Sequence, residues 1–187
     1  MGRAVCAELV VRGHAVALID LAPAPSGFHG LALTGVDLGD ERAVVSAFDA
    51  AAAEMGPLDG LVNVAGGFVW ETVTGGSIAS WDDMYRINLR TAALSCRASL
   101  EHLRDGGAIV NVGAAAALKA ASGMAPYAAS KAGVMALTEA LADELQGRRI
   151  RVNAVLPTII DTPANRKDMP NADFGEWVCP ERAAKAI

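Results

Sequence analysis

Cysteine is scarce in this sequence. Its three cysteines, Cys6, Cys96 and Cys179, lie far apart, and none forms a CxxC motif or a cluster with histidine. An odd number at this spacing argues against a disulfide framework and against a zinc site. We therefore expect ordinary thiols in a reducing cytoplasm, and no bound metal.

Runs of basic residues and long apolar segments are absent as well. The net charge is −5, and lysine and arginine are dispersed, so the sequence offers no surface for nucleic acid or for an anionic membrane. No apolar run approaches the roughly 20 residues that cross a bilayer, and the N-terminal residues do not resemble a leader. The expected partner is a small molecule.

The 187 residues are 52% hydrophobic and 20% charged, which predicts one compact domain across residues 1–187. Short apolar runs alternate with longer amphipathic ones, a pattern typical of βαβ units around a parallel sheet. The prediction is an α/β fold with a doubly wound, Rossmann-like parallel sheet. Its strands are placed at 14–20, 31–38, 58–66, 107–114 and 150–157, and its helices at 2–13, 40–56, 80–105 and 125–147. PERAAKAI, at 180–187, should begin another helix.

Three short stretches at predicted strand ends suit a dinucleotide. Asp20 ends a strand eighteen residues after Gly2, and such an acid can bind ribose hydroxyls and repel a 2′-phosphate, or simply form a turn. NVAGG, at 63–67, follows the strongest strand signal, where glycines either admit a flat ligand or make a tight turn. Asp37 either meets an adenine amino group or bounds a strand.

YAASK, at 127–131, places Tyr127 and Lys131 four residues apart in a predicted helix. With two tyrosines and four lysines in the chain, this spacing arises by chance with a probability of roughly 4%. Residues i and i+4 share a helix face, so the ammonium would lie near the phenol and lower its pKa from about 10. The pair is therefore either a proton donor and its activator or a surface pair.

Taken in chain order, these stretches resemble the short-chain dehydrogenase/reductase family over the whole sequence. The resemblance implies an NAD(P)-binding Rossmann-type domain, with NADH preferred over NADPH. The cofactor-binding positions that it implies include the last glycine of the glycine loop, the acid that selects NAD, the adenine contact and the NAG motif. These are Gly2, Asp20, Asp37, Asn63, Ala65 and Gly66.

The same resemblance supplies the catalytic residues. Tyr127 and Lys131 match the family's catalytic tyrosine and lysine, and Lys131 would also bind the ribose. Asn88, in YRINL, matches the asparagine that holds a water in a proton relay. Ile160 and Thr162, in LPTIIDTP at 156–163, match positions that contact the nicotinamide amide.

The sequence departs from the family in three places. Ala114 stands thirteen residues before Tyr127, where the family has its catalytic serine, and Ser122 is better explained as a turn or cap residue. The family's first strand and glycine loop do not precede Gly2, and its last strand is not present. We expect an incomplete sheet at the cofactor site, in either a fragment or a natural protein.

The alanine and the run DTPANRKDMPNADF resemble one branch of the family, the quinonoid dihydropteridine reductases, which also have no catalytic serine. Asn88, in contrast, is typical of ordinary members. The expected function is hydride transfer from NADH to a small carbonyl or quinonoid pterin-like substrate. The alternatives are a 3-oxoacyl-type carbonyl reductase and a cofactor-binding subunit without turnover. The family also implies a homodimer or homotetramer formed through helices 80–105 and 125–147.

Overall fold

The computed structural model describes all residues from 1 to 187, arranged as parallel strands and surrounding helices. The strands are β1 (Ala17–Asp20), β2 (Leu31–Thr34), β3 (Leu58–Asn63), β4 (Leu103–Val112) and β5 (Arg151–Val155). The α-helices are α1 (Gly2–Val11), α2 (Glu41–Met55), α3 (Ile78–Met84), α4 (Thr91–Ser99), α5 (Ala125–Glu144), α6 (Pro163–Asp168) and α7 (Pro180–Lys185). A π-helix at Tyr85–Arg90 joins α3 to α4.

The strands form two separate parallel sheets. One contains β1 and β2, and the other has the order β3-β4-β5. A cavity of about 830 Å³ lies between them, lined by β1, by β3 and by the first residues of α1. The predicted Rossmann-like α/β class is confirmed, and so is the expectation of an incomplete sheet.

Helices α2 and α4 hold the two sheets in one domain. Phe48 of α2 and Ala98 of α4 are buried together, and Ile19 of β1 and Leu61 of β3 pack against them. A second apolar cluster joins α4 and α5 to β4 and β5. Its buried members are Cys96, Leu103, Ile109, Leu141, Leu145, Ile150 and Val152. This cluster anchors α5 beside β4 and β5.

The ends of α2 show how local sequence determines a helix. The Asp40 carboxylate accepts a hydrogen bond from the Ala43 N–H at 2.9 Å, which satisfies one of the free amides of the first turn. Gly56 ends the helix with a φ of 78°, a conformation that glycine adopts without strain. The predicted helix at 40–56 is therefore confirmed nearly residue for residue.

The predicted helix at 80–105 is wrong at its C-terminal end. The helical segment ends at Ser99, and residues from Leu103 onward belong to β4. Leu103 is buried and pairs with Leu58 of β3, and the Arg148 guanidinium binds the carbonyls of Leu100 and Leu103. Contacts with distant residues thus overrode the helical pattern, and β4 starts earlier than the predicted 107.

None of the helices combines the length and apolar character that a membrane crossing requires. No group of three or more histidine, cysteine or acidic side chains is placed where it could share a metal ion. The final helix α7, which the sequence predicts, packs against α1.

Candidate active site

Tyr127 and Lys131 lie one turn apart near the start of α5. Lys131 is only 5% exposed, and its Nζ donates a hydrogen bond to the Val112 carbonyl at the end of β4 at 2.8 Å. The half-buried Tyr127 ring meets the Phe68 ring edge-on, with 5.0 Å between the ring centroids. The predicted pair is therefore not a surface pair, because its lysine is enclosed by the protein.

Burial changes the proton affinity of both groups. It lowers the pKa of Lys131 from 10.5 to about 8 and raises the pKa of Tyr127 above its usual 10.0. The expectation that Lys131 lowers the tyrosine pKa is wrong in this structure. Desolvation disfavours the phenolate, and the ammonium is directed to the Val112 carbonyl. Tyr127 is thus a neutral phenol at pH 7, the state that can donate a proton.

Asn88 connects the loop after β3 to helix α5. It lies in the π-helix, is 1% exposed, and its Oδ1 accepts a hydrogen bond from the Gly67 N–H at 3.0 Å. Its Nδ2 donates to the Gly67 carbonyl at 3.0 Å and to Ser130 Oγ at 3.1 Å. The Ser130 hydroxyl in turn donates to the Tyr127 carbonyl at 2.7 Å. Asn88 therefore positions the backbone around the tyrosine.

Gly66 lies against the two buried polar side chains of the site. A Cβ at this position would lie 2.6 Å from Asn88 Oδ1 and 3.3 Å from Lys131 Nζ. Ala65 and Gly66 are exposed at the carboxyl end of β3, next to these polar groups. Backbone without a side chain in this place suits the close approach of a flat ring, so these residues fit a nicotinamide nucleotide.

Asn63 has a different environment from its neighbours in the NAG motif. Its Nδ2 donates to Asn111 Oδ1 at 2.8 Å and lies 3.2 Å from Cys96 Sγ. Asn111 Nδ2 continues to Thr138 Oγ1 at 2.9 Å. The Asn63 side chain thus joins β3 to β4, α4 and α5.

The two aspartates expected at the adenosine end both make turn contacts. Asp20 is exposed at the end of β1, and its Oδ1 accepts from the Ala22 N–H at 2.9 Å. Asp37 Oδ1 accepts from the Gly39 N–H at 2.8 Å, and its Oδ2 pairs with Arg86 of the π-helix. Each carboxylate therefore accepts a hydrogen bond within a turn, which is the alternative to cofactor binding that the sequence also allowed.

The remaining cofactor positions are Gly2, Ile160 and Thr162. A Cβ at Gly2 would meet only Val64 at 4.0 Å, so the structure does not itself require glycine there. Thr162 caps α6, with its Oγ1 accepting from the Asn165 N–H at 3.2 Å. Asn165 Nδ2 donates to the Ile160 carbonyl at 2.7 Å. These contacts order the segment after β5.

The structure thus brings Tyr127, Lys131, Asn88 and Gly66 together. It places Asp20 and Asp37 with the β1–β2 sheet. Ala114 is buried, and it contributes no hydroxyl where the family has its serine.

Sequence reasoning missed Ser130, Phe68 and Trp70 as residues of this region. The available signals were the position of Ser130 inside YAASK and two aromatic residues directly after NVAGG in a chain that is only 5% aromatic.

Comparisons with known proteins show which family the chain resembles. Residues 1–173 match the family model described as short chain dehydrogenase. The chain is 34% identical over 206 residues to a D-threitol dehydrogenase of Mycolicibacterium smegmatis, a match covering 100% of this chain and 79% of that protein. It is 32% identical over 199 residues to a human 3-oxoacyl-[acyl-carrier-protein] reductase, covering 95% and 82%.

Among solved structures, a short-chain dehydrogenase of Burkholderia cenocepacia in complex with NADP superposes with a TM-score of 0.85 at 28% identity. The match covers 99% of this chain and 83% of that one.

Proposed function

This chain belongs to the short-chain dehydrogenase family, and we propose that Tyr127 exchanges the proton in its reaction. The protein is an NAD(P)-dependent oxidoreductase. The observation that carries the proposal is the half-buried Tyr127, whose ring contacts Phe68 and which lies one helical turn from the buried Lys131. A nicotinamide nucleotide, when bound, supplies or accepts the hydride.

In the direction of reduction, the Tyr127 hydroxyl gives its proton to the substrate atom that gains electron density. Lys131, one helical turn away, directs its ammonium to the Val112 carbonyl, and its proposed role is to bind the cofactor ribose. With a pKa of about 8, Lys131 is still mostly protonated at pH 7. Asn88 hydrogen-bonds to the Gly67 carbonyl and to Ser130, and so holds the loop after β3 against α5.

For the cofactor, we propose that NADH is preferred over NADPH. The Asp20 carboxylate is exposed at the carboxyl end of β1, where it would repel a 2′-phosphate. Asp37, Asn63, Ala65, Gly66, Ile160 and Thr162 complete the proposed binding surface, with Lys131 at the ribose and Gly2 at the phosphates. The related structure from Burkholderia cenocepacia contains NADP, so the affinities of this protein for NADH and NADPH need to be measured side by side.

For the substrate, we propose a small carbonyl or quinonoid pterin-like compound. Ala114 favours the pterin, since a ketone needs donors for its developing alkoxide, and losing one such donor typically costs about 2.7–4 kcal/mol of barrier. A quinonoid ring spreads the incoming charge over several atoms. The relatives named for D-threitol and for 3-oxoacyl-[acyl-carrier-protein] instead favour a carbonyl or alcohol substrate.

Two substitutions separate these possibilities. Tyr127→Phe should abolish turnover of either substrate while NADH still binds. Ala114→Ser should leave reduction of quinonoid dihydropterin unchanged and improve reduction of a simple ketone. If the wild type reduces ketones readily and ignores the pterin, the pterin assignment is wrong. Binding of NADH without turnover of any carbonyl or pterin would instead indicate a cofactor-binding subunit.

We also propose a homodimer or homotetramer formed through α5 and the helical segment 78–99. Tyr85 and Ile87 in that segment are 52% and 41% exposed, and burying them would stabilise an assembly. Sedimentation at micromolar concentration tests this, and a monomer there would refute it. The three cysteines are free, and we retain the cytoplasm as the proposed location, to be tested by fractionating cells.

A further inference from the structure

Two aromatic side chains project from the loop that follows β3. Phe68 is 45% exposed and Trp70 is 62% exposed. Large aromatic side chains lose favourable burial when they face water, so their exposure beside a reactive tyrosine requires an explanation.

The loop holds these rings in place beside α5. The Glu71 N–H donates to the Gly123 carbonyl at 2.8 Å. The Trp70 ring lies against Gly123, in the space that a Cβ would fill, and Gly123 has a φ of 78°. A side chain at Gly123 would therefore displace the indole. The indole is thus held at the N-terminal end of α5, the helix that carries Tyr127.

Phe68 completes the same surface. Its ring meets Tyr127 at an interplanar angle of 86°, the edge-to-face geometry that aromatic pairs favour. Glu71, which follows Trp70, accepts a hydrogen bond from the Ser77 N–H through its Oε1 at 2.6 Å. Phe68 at Tyr127 and the indole of Trp70 at Gly123 thus present two exposed aromatic rings at this end of α5.

We propose that Phe68 and Trp70 form an apolar wall that binds a ring or other apolar group attached to the reacting carbon of the substrate. This rests on the proposed role of Tyr127 as the proton donor. Substrates whose carbons carry hydroxyl groups are disfavoured, since the wall would desolvate those hydroxyls without replacing their hydrogen bonds. Trp70 is the specificity-determining residue and the one to substitute. The Phe68 ring also contacts Tyr127, so its removal would disturb the proton donor as well as the wall.

The test compares cyclohexanone with erythrulose, a polyhydroxylated ketone. In Trp70→Ala, KM for cyclohexanone should rise about tenfold, the scale at which hydrophobic pockets discriminate, while KM for erythrulose changes less than about twofold. Trp70→Phe should recover most of the loss. Val11→Ala, which removes an apolar side chain that is 82% exposed on α1, should change neither value.

Saturation-transfer NMR provides a readout that does not depend on turnover. Cyclohexanone should receive saturation from the wild type and from Tyr127→Phe, and much less from Trp70→Ala. If cyclohexanone binds through Trp70 and Tyr127→Phe retains the reductase activity, the proposed role of Tyr127 fails and the apolar wall stands. If Trp70→Ala weakens both ketones equally, or neither, the apolar wall is refuted.

Discussion

The stability of the protein should depend on pH through Lys131 in a direction that its burial determines. The lysine is 5% exposed, and its pKa falls from 10.5 to about 8 on folding. Below pH 8 both states hold the proton, so the folded state carries a constant penalty for a desolvated ammonium. Between pH 8 and 10.5 only the unfolded state remains protonated, and stability therefore rises with pH.

The size of the effect follows from the shift. Each pKa unit corresponds to about 1.4 kcal/mol, so the total gain is about 3 kcal/mol. Lys131→Met removes this contribution. At pH 7 we expect the variant to be more stable than the wild type by about 2 kcal/mol, since loss of the hydrogen bond to Val112 offsets about 1 kcal/mol. Near pH 10.5 the wild type should instead be the more stable of the two by about 1 kcal/mol, because it has then gained about 3 kcal/mol.

The assay is urea unfolding followed by circular dichroism at several values of pH between 7 and 10.5. The informative quantity is the free energy of unfolding of the wild type minus that of Lys131→Met, because other titrating groups cancel in it. Lys119→Met removes an exposed lysine and serves as the control. A difference that stays flat across this range would refute the reasoning, as would one that falls.

Three further substitutions probe the rest of the site. Asp20→Ser should bring the NADH and NADPH affinities, which we expect to differ at least about tenfold, to within about twofold of each other in fluorescence titrations; equal affinities in the wild type would reject the role of Asp20. Asn88→Ala should lower the free energy of unfolding by about 2–4 kcal/mol, because three hydrogen bonds are lost; urea unfolding checks this, and a change below about 0.5 kcal/mol would contradict it. Gly66→Ala should weaken NADH binding at least about tenfold with the circular dichroism spectrum retained, since its Cβ would press on Asn88 Oδ1; unchanged affinity would show that the cofactor does not approach this residue.

The sequence by itself determined the α/β class and the order of the elements. Apolar runs of strand length, helix caps such as Asp40 and terminators such as Gly56 are local signals, and they carry the same meaning in any fold. The spacing of Tyr127 and Lys131 likewise determined that the two share a helix face, because the helical repeat alone sets that relation.

Tertiary structure alone decided the environments of these residues. The sequence places Asn88 in the predicted helix at 80–105 but does not show whether its side chain is buried; packing of the π-helix against the loop after β3 and against α5 buries it. The upward shift of the Tyr127 pKa also depended on the fold, because burial and the position of the Lys131 ammonium are properties of the folded chain. The same is true of residues 100–105, where pairing with β3 and the reach of Arg148 outweighed a helical pattern. Local periodicity records which face of an element is apolar, whereas desolvation and long-range hydrogen bonds depend on what the folded chain places against that face.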